Sequence, residues 1–253
     1  MRIVILGSGN VATQLALSLK AIGEEIVQVY SPNLTNANNL AEKVAASAIS
    51  NLAAINMQAE LYIISVKDDA ISAVAAELNH VNGLVVHTSG TTDLSILSGQ
   101  VKRAGVFYPL QTFSKSRNVS FKHIPICLEA DERDLILLRE LAGKLSSKVY
   151  ELDGEKRKVL HLAAVFACNF PNHLYALANQ ILQQHHLDFD IVRPLIAETA
   201  DKVMVNLPDN VQTGPAIRGD ERTMDKHLKM LSNLPELQEI YQTLSNSIKI
   251  IHK

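Results

Sequence analysis

The sequence feature that most constrains the fold is a glycine-containing turn at the start of the chain. Residues 2–6 form a short β-branched run, typical of a strand covered on both faces, and residues 10–22 carry apolar side chains at helical spacing. Between them, Gly7 permits a tight turn, Gly9 lets the backbone approach a pyrophosphate, and Ala12 lets the helix pack closely on a sheet. The motif therefore predicts a strand, a turn and a helix whose N-terminus faces the pyrophosphate of a dinucleotide.

Strand-like and helix-like segments continue to alternate as far as residue 152. The predicted strands are 2–6, 25–30, 61–66, 84–87, 105–108, 124–128 and 148–152, and the predicted helices are 10–22, 34–46, 68–78 and 132–145. Repeated β-α alternation with right-handed crossovers predicts an α/β fold with a doubly wound, mainly parallel Rossmann sheet.

The strand signals end after Asp153. The predicted helices of the remaining chain are 155–184, 190–205, 221–231 and 235–251. Asp153 can cap the incoming helix, and Gly154 can relax the turn before it. We therefore predict two domains, an NAD(P)-binding Rossmann domain at 1–153 and an all-helical substrate and dimerisation domain at 154–253.

Charge and cysteine content argue against several classes of partner. The 24 basic and 26 acidic residues give a net charge of -2, which provides no large positive field for nucleic acid or an anionic membrane. Cys127 and Cys168 are far apart in apolar stretches, so we predict neither a disulfide framework nor a metal site.

Two segments bear on location. Met1 and Arg2 lead directly into the first strand without the apolar stretch of a secretory signal, which predicts a cytoplasmic protein. The segment Val159–Leu182 has the length of a membrane span, but it contains several histidine and asparagine residues. We interpret it as a buried helix.

The end of the second predicted strand bears on which dinucleotide binds. Sites that prefer NAD place an acidic residue there, about 20 residues after the glycine turn, to bond the ribose hydroxyl. This chain instead has Ser31 and Asn33, and it has no carboxylate in the loop. The sequence therefore favours NADP. NAD stays open as the cofactor because the loop has no arginine to bind a 2′-phosphate. The alternative is that these polar residues form an ordinary surface loop with no contact to a cofactor.

Ligands of open α/β sheets lie beyond the carboxyl ends of the strands, so the later strand ends are further candidates. The backbone of Val66 and Lys67 is predicted to pack against the nicotinamide ribose, and the alternative is that capping of the next helix alone explains the acids that follow. Ser89 and Gly90 are predicted to lie at the nicotinamide end, with ordinary capping as the alternative. Residues 108–113 are either a pocket wall or a structural corner.

Five segments together resemble known reductases, and they span most of the chain. They are 7–12, 87–90, 108–113, 167–170 and 213–220. In this order they resemble an uncharacterised bacterial Rossmann-like NADP-oxidoreductase family with a helical C-terminal domain of unknown function. That family lies within the superfamily of pyrroline-5-carboxylate reductase, ketopantoate reductase and β-hydroxyacid dehydrogenases. The resemblance implies a 6-phosphogluconate-dehydrogenase-like fold and a homodimer formed through the C-terminal domain.

The segment around Asn169 departs from the pattern of the related dehydrogenases. The β-hydroxyacid dehydrogenases carry a catalytic lysine four residues before an asparagine, whereas here Val165 precedes Asn169. His161, Asn169 and His173 are our candidates for catalysis, because helical spacing places them towards one side and a histidine exchanges protons near neutral pH. The alternative is that they satisfy backbone carbonyls.

One further segment of the resemblance offers a charged candidate. Arg218 can clamp a substrate carboxylate, or it can pair with Asp220.

The sequence thus predicts an NADP-dependent oxidoreductase that transfers hydride between the nicotinamide and a small carbonyl, imine or hydroxy compound at the domain interface. The alternative is a non-catalytic NAD(P)-binding sensor or regulatory protein, which the missing lysine supports.

Overall fold

The computed structural model describes residues 1–252 and contains one sheet of eight strands, in the order β3-β2-β1-β4-β5-β6-β7-β8. The strands are β1 (Arg2–Leu6), β2 (Glu25–Tyr30), β3 (Ser47–Ile49), β4 (Leu61–Ile64), β5 (Leu84–His87), β6 (Ala104–Pro109), β7 (Ile126–Ala130) and β8 (Val149–Glu151). Every neighbouring pair is parallel except β6 and β7. The predicted fold class, a mainly parallel doubly wound sheet followed by helices, is confirmed.

Ten α-helices accompany the sheet within the described residues. They are α1 (Asn10–Ala21), α2 (Leu34–Val44), α3 (Ile71–Ala76), α4 (Ser95–Ser98), α5 (Glu132–Leu145), α6 (Gly154–Ala164), α7 (Phe170–Gln184), α8 (Arg193–Val205), α9 (Glu221–Met230) and α10 (Pro235–Ile251).

The core consists of two apolar layers, one on each face of the sheet. Along β1, Ile3 and Ile5 contribute to the layer that also contains side chains of α1, α2 and α5. Val4 and Leu6 contribute to the other layer, with side chains of α3 and α4. Because both faces are covered, the central strands are continuous apolar runs without alternation, which is what made them recognisable in the sequence.

The short edge strand β3 was missed by the sequence analysis. Ser47–Ile49 pairs only with β2, and each of its three residues is exposed or half-buried. A strand of this length that is not buried has neither an apolar run nor enough residues to show alternation.

The helix predicted for 155–184 is not continuous. α6 ends at Ala164, a π-helical turn spans Val165–Asn169, and α7 begins at Phe170. Pro171 near the start of α7 has no N–H to donate to the preceding turn, and a wider turn accommodates that loss. The α-helical spacing that linked His161 to Asn169 therefore does not hold through this segment.

The segment 159–182 is also less buried than we expected. Val159 and Leu162 of α6 are 67% and 59% exposed, so the interpretation of a buried helix is wrong for this part. Among residues 1–252, no helix combines the length and the hydropathy that a membrane span needs.

The chain divides into two compact units, Met1–Cys168 and Asn169–Lys253. The first contains the whole sheet and also α6, whose Leu160 packs beside Tyr108 and Cys127. Asp153 caps α6 by accepting a hydrogen bond from the Lys156 N–H at 2.8 Å. The last strand ends at Glu151, but the first compact unit continues to Cys168, and the division into domains at 1–153 and 154–253 stays a prediction.

Candidate active site

A cavity of about 720 Å³ opens at the carboxyl ends of β1, β2, β4, β5 and β6, within the first unit. This is where an open parallel sheet places its ligands. Its lining includes ten of the eleven residues predicted to bind the cofactor, namely Gly7, Ser8, Gly9, Asn10, Val11, Ser31, Val66, Lys67, Ser89 and Gly90. His161, a predicted catalytic residue, and Tyr108 line the same cavity.

The glycine turn forms one end of this cavity. Gly7 has a φ of 129°, and a Cβ on it would lie 2.1 Å from the carbonyl oxygen of Ser65, so only glycine fits there. Ala12 is fully buried against the sheet. These two positions fix how closely α1 approaches β1.

Gly9 is the N-cap of α1. Its φ of -75° is ordinary, but a Cβ on it would have no atom of the described chain within 4 Å, so the space in front of it is open. No side chain among residues 1–252 caps this helix, and its first turn has no acidic residue. The free N–H groups and the helix dipole can therefore bind an anion such as a pyrophosphate.

Ser8 and Ser31 lie side by side next to the glycine turn. The Ser8 hydroxyl donates to the Ser31 hydroxyl at 3.1 Å, and Ser31 is buried. Asn33, the remaining predicted cofactor residue, is not part of the cavity lining. Its side chain instead caps α2, accepting from the Asn36 N–H at 3.3 Å.

Hydrogen bonds connect the loops after β4 and β5. The Thr91 hydroxyl donates to Asp68 at 2.6 Å, and the Thr88 hydroxyl donates to the Ser65 hydroxyl at 3.2 Å. Ser89 Oγ accepts from the N–H groups of Thr91 and Thr92, at 3.1 and 3.0 Å. These hydrogen bonds close a local turn in the loop and do not cap α4, whose N-cap is Leu94, and Ser89 also lines the cavity.

His87 lies beneath this loop and is fully buried. Its Nδ1 accepts a hydrogen bond from the Ser89 N–H at 3.2 Å, which places the ring proton of the neutral form on Nε2. Burial, assisted by the Arg157 charge, lowers the pKa of His87 to about 4. His87 is therefore neutral at physiological pH and supports the loop.

Tyr108 and His161 form a hydrogen-bonded pair in the cavity wall. Tyr108 Oη lies 2.9 Å from His161 Nδ1, and the two rings are tilted by 57°. Burial raises the pKa of Tyr108 to about 12, so its hydroxyl keeps its proton. This is the only tyrosine–histidine pair that the cavity wall presents in the described chain, and it can hold or move a proton.

Gly90 makes room for this pair. A Cβ on Gly90 would lie 2.6 Å from His161 Nδ1 and 2.8 Å from Tyr108 Cζ. Both rings therefore approach the backbone of the loop after β5 more closely than any side chain there would permit.

Arg157 holds α6 in position one helical turn before His161. It is fully buried, pairs with Glu129 of β7, and donates to the carbonyl oxygen of Thr92 at 2.6 Å. The sequence analysis missed Arg157 and did not propose Tyr108 as a proton carrier. The spacing of Arg157 and His161 was visible, but their partners lie 28 to 65 residues away.

The other predicted catalytic residues, Asn169 and His173, belong to the second unit, where both are exposed. Their role, like that of Arg218, stays a prediction. No group of three or more histidine, cysteine, aspartate or glutamate side chains within residues 1–252 is arranged to hold a metal ion.

Comparison with protein families gives two matches. Residues 2–89 match the family described as NADP oxidoreductase, coenzyme F420-dependent, and residues 124–248 match a domain of unknown function, DUF2520. No curated protein matches the chain.

Solved structures extend the likeness over the whole chain. The protein named "putative NADP oxidoreductase" from Bacteroides fragilis is 47% identical with a TM-score of 0.94, and the match covers 98% of this chain and 97% of that one. A protein from Thermotoga maritima is 25% identical, with a TM-score of 0.76 and coverage of 99% and 98%. An imine reductase from Myxococcus stipitatus in complex with NADP+ shares the fold at 12% identity and a TM-score of 0.64, with coverage of 100% and 93%.

Proposed function

The chain belongs to the family of the protein named "putative NADP oxidoreductase" from Bacteroides fragilis, as the sequence resemblance predicted, and on this premise we propose that it is an NADP-dependent oxidoreductase. Its substrate is proposed to be a small carbonyl, imine or hydroxy compound. The observation that carries this proposal is that the Tyr108–His161 pair and the glycine turn line one cavity.

The residues of the cavity suit the cofactor. The uncapped N-terminus of α1 and the open space at Gly9 suit a pyrophosphate, and the Ser8–Ser31 pair lies where the adenosine ribose would follow. Val66 and Lys67 are proposed to line the path of the cofactor, with Ser89 and Gly90 at its nicotinamide end. NADPH, when bound, supplies the hydride.

The protein's own contribution is to orient the substrate and to provide a proton. The Tyr108 hydroxyl donates its proton to the oxygen or nitrogen that gains negative charge. His161, in the form that carries a proton on Nδ1, donates to Tyr108 Oη over 2.9 Å and returns a proton to the phenolate. The buried Arg157 fixes the helix that carries His161. A pure sensor would not need such a proton-carrying pair facing the nicotinamide end, and this favours the enzyme over the non-catalytic alternative.

Turnover by variants tests this proposal. NADPH and NADH binding is measured by cofactor fluorescence, and small oxo acids, imines and hydroxy acids are then screened for cofactor oxidation or reduction. Tyr108→Phe and His161→Gln are expected to reduce kcat by about 100-fold, the usual scale for a lost general acid, and to leave the cofactor Kd nearly unchanged.

Tyr150→Phe, an exposed tyrosine, and His80→Gln, an exposed histidine, are the matched controls and are expected to keep full activity. Cofactor binding without turnover of any compound would favour the sensor. Full activity in Tyr108→Phe would contradict the proposal that Tyr108 is the proton donor.

We further propose a homodimer formed through the C-terminal helices. This proposal is supported by a group of exposed apolar side chains at the end of α8 and just after it, namely Val203, Met204, Val205 and Leu207. The predicted cytoplasmic location stays a prediction.

A further inference from the structure

Lys115 supplies a positive charge that the loop after β2 lacks. It lies in the connection between β6 and β7, residues 110–125, about 80 residues beyond Ser31 in sequence. It lines a second cavity, of about 380 Å³, together with Ser8, Thr13, Asn36 and Lys43. The following inference rests on the proposed function, since it concerns how the same cofactor is selected.

The second cavity adjoins the first at Ser8, which lines both. In dinucleotide sites the residue at the end of the second strand contacts the ribose 2′ position, and here that residue is Ser31. Because Ser8 bonds to Ser31, a group attached to the 2′ oxygen would extend past Ser8 towards the second cavity. A 2′-phosphate is the group that distinguishes NADP from NAD.

The backbone around Lys115 is anchored to α1. The buried side-chain amide of Gln14 donates to the carbonyl oxygens of Ser114 and Arg117, at 2.8 and 3.0 Å. At the base of the connection, Phe113 stacks on Phe121 with ring centroids 5.4 Å apart. Lys115, between the two anchored carbonyls, is therefore held over the first turns of α1.

The charges in the second cavity suit a phosphate. Lys115 and Lys43 form no ion pair with any residue that the structure describes, so both ammonium groups are available. One carboxylate, Glu42, also lines the cavity, and its negative charge offsets the positive charge of one lysine. The two lysines leave a net positive charge, and the hydroxyl groups of Ser8 and Thr13 and the amide of Asn36 are hydrogen-bond donors to phosphate oxygens.

We propose that Lys115 is the residue that selects NADP over NAD, by pairing with the 2′-phosphate in this second cavity, with Lys43 as its secondary partner. Gln14 is a positioning residue that acts through the backbone of residues 114–117. Selectivity thus depends on a loop from the far half of the sheet, whereas the loop after β2 contributes only neutral groups.

Binding of NADPH and NADH to the full chain, by cofactor fluorescence without substrate, tests this proposal. Lys115→Met is expected to weaken NADPH binding about tenfold, the scale of one charge-assisted hydrogen bond, and to change NADH binding less than about twofold. Gln14→Met is expected to lower the NADPH preference in the same direction while NADH still binds. Lys122→Met, an exposed lysine of the same connection outside the cavity, is the matched control and is expected to keep the wild-type preference.

The outcomes separate this inference from the proposed function. A wild-type protein that prefers NADPH, combined with an unchanged preference in Lys115→Met, would overturn the role of Lys115 and leave the oxidoreductase in place. Equal weakening of both cofactors in that variant would also overturn it, because the lysine would then serve the fold or the shared part of the ligand. A wild-type protein that binds neither cofactor would overturn both proposals. Competition by 2′,5′-ADP that is lost in Lys115→Met, with competition by 5′-AMP retained, would support the proposal directly.

Discussion

The position of the Tyr108–His161 pair depends on the absence of a side chain at Gly90. The side chains of Tyr108 and His161 meet over Gly90, where one added methyl group would lie within 3 Å of both rings. The sequence analysis recognised Gly90 as a site residue because of its strand-end position, and it recognised His161 from its residue type. The hydrogen bond between His161 and Tyr108 could not be predicted from the sequence. The two residues are 53 positions apart, and only the packing of α6 on β6 and β7 brings them together.

Gly90→Ala is expected to displace the pair and to reduce kcat at least about tenfold, because a misplaced catalytic group forfeits its geometric advantage. The NADPH Kd is expected to change less than kcat, since the glycine turn that binds the pyrophosphate is untouched and Gly90 is proposed to lie only at the nicotinamide end. Steady-state kinetics and cofactor fluorescence measure the two effects. Gly143→Ala, in a helix position where a Cβ meets no atom of the described chain within 4 Å, is the matched control. Unchanged kcat in Gly90→Ala would contradict the role of this close approach.

The buried His87 predicts a pH dependence of stability. Its folded-state pKa is about 4, below the ordinary value of 6.5, so the unfolded chain takes up this proton first as the pH falls. Its contribution to stability is complete above pH 6.5 and is lost as the pH falls towards 4. Between pH 7 and pH 5 the loss is about 2 kcal/mol.

Urea unfolding at pH 7 and pH 5 measures this loss. His87→Asn, which retains an acceptor for the Ser89 N–H, is expected to show a smaller loss between the two pH values than the wild type. His80→Gln, at an exposed position, is expected to behave like the wild type. Identical pH dependence in His87→Asn would show that His87 does not titrate as described.

Among the secondary-structure elements, the buried strands were predicted most accurately from the sequence. Strands β1, β2 and β5 were predicted with the bounds that the structure shows, because each is rich in isoleucine and valine and is followed by turn-forming residues. The π-helical turn at Val165–Asn169 was not predicted, since helical periodicity does not distinguish a wide turn from a regular one. The capping of α2 by the Asn33 side chain was not predicted either, and a contact between Asn33 and the cofactor stays a prediction.

Arg157 connects α6 to the sheet through its ion pair with Glu129 of β7. Arg157→Met is expected to lower the free energy of unfolding by about 3 kcal/mol, because it leaves Glu129 and the Thr92 carbonyl without their buried partner. Urea unfolding measures the change. Lys156→Met, which removes an exposed ion pair to Asp153, is the control and is expected to change the free energy of unfolding much less. Equal effects of the two substitutions would indicate that Arg157 does not anchor α6.

For the whole molecule, the glycine turn and the alternating segments predicted the fold class, because they depend on local order along the chain. The family was predicted from the resemblance of five segments to known reductases. It did not predict that the compact N-terminal unit extends to Cys168, since this depends on the packing of α6 against residues of the sheet. The substrate is a property of side-chain arrangement, and fold membership does not determine it.

The exposed apolar group on and after α8 predicts self-association. Wild-type protein is expected to sediment as a dimer, and Met204→Glu combined with Val205→Glu is expected to shift it towards a monomer, because both side chains are more than 80% exposed in the single chain. Analytical ultracentrifugation over a range of concentrations measures this. A second double variant, Glu198→Gln with Lys202→Gln, removes an exposed ion pair of the same helix and is the control. A monomeric wild type would contradict the homodimer.

The central claim is that a nicotinamide dinucleotide binds with its pyrophosphate on the turn at Gly7 and Gly9. Because a Cβ at Gly9 would meet no described atom, Gly9→Val is expected to keep the fold and its melting temperature while its side chain occupies the space of the pyrophosphate. NADPH titration followed by cofactor fluorescence is the most direct measurement. Saturable binding is expected for the wild type, and an affinity at least about 100-fold lower is expected in Gly9→Val because several phosphate hydrogen bonds are lost. Unchanged affinity in a folded Gly9→Val protein, or no NADPH binding by the wild type, would contradict it.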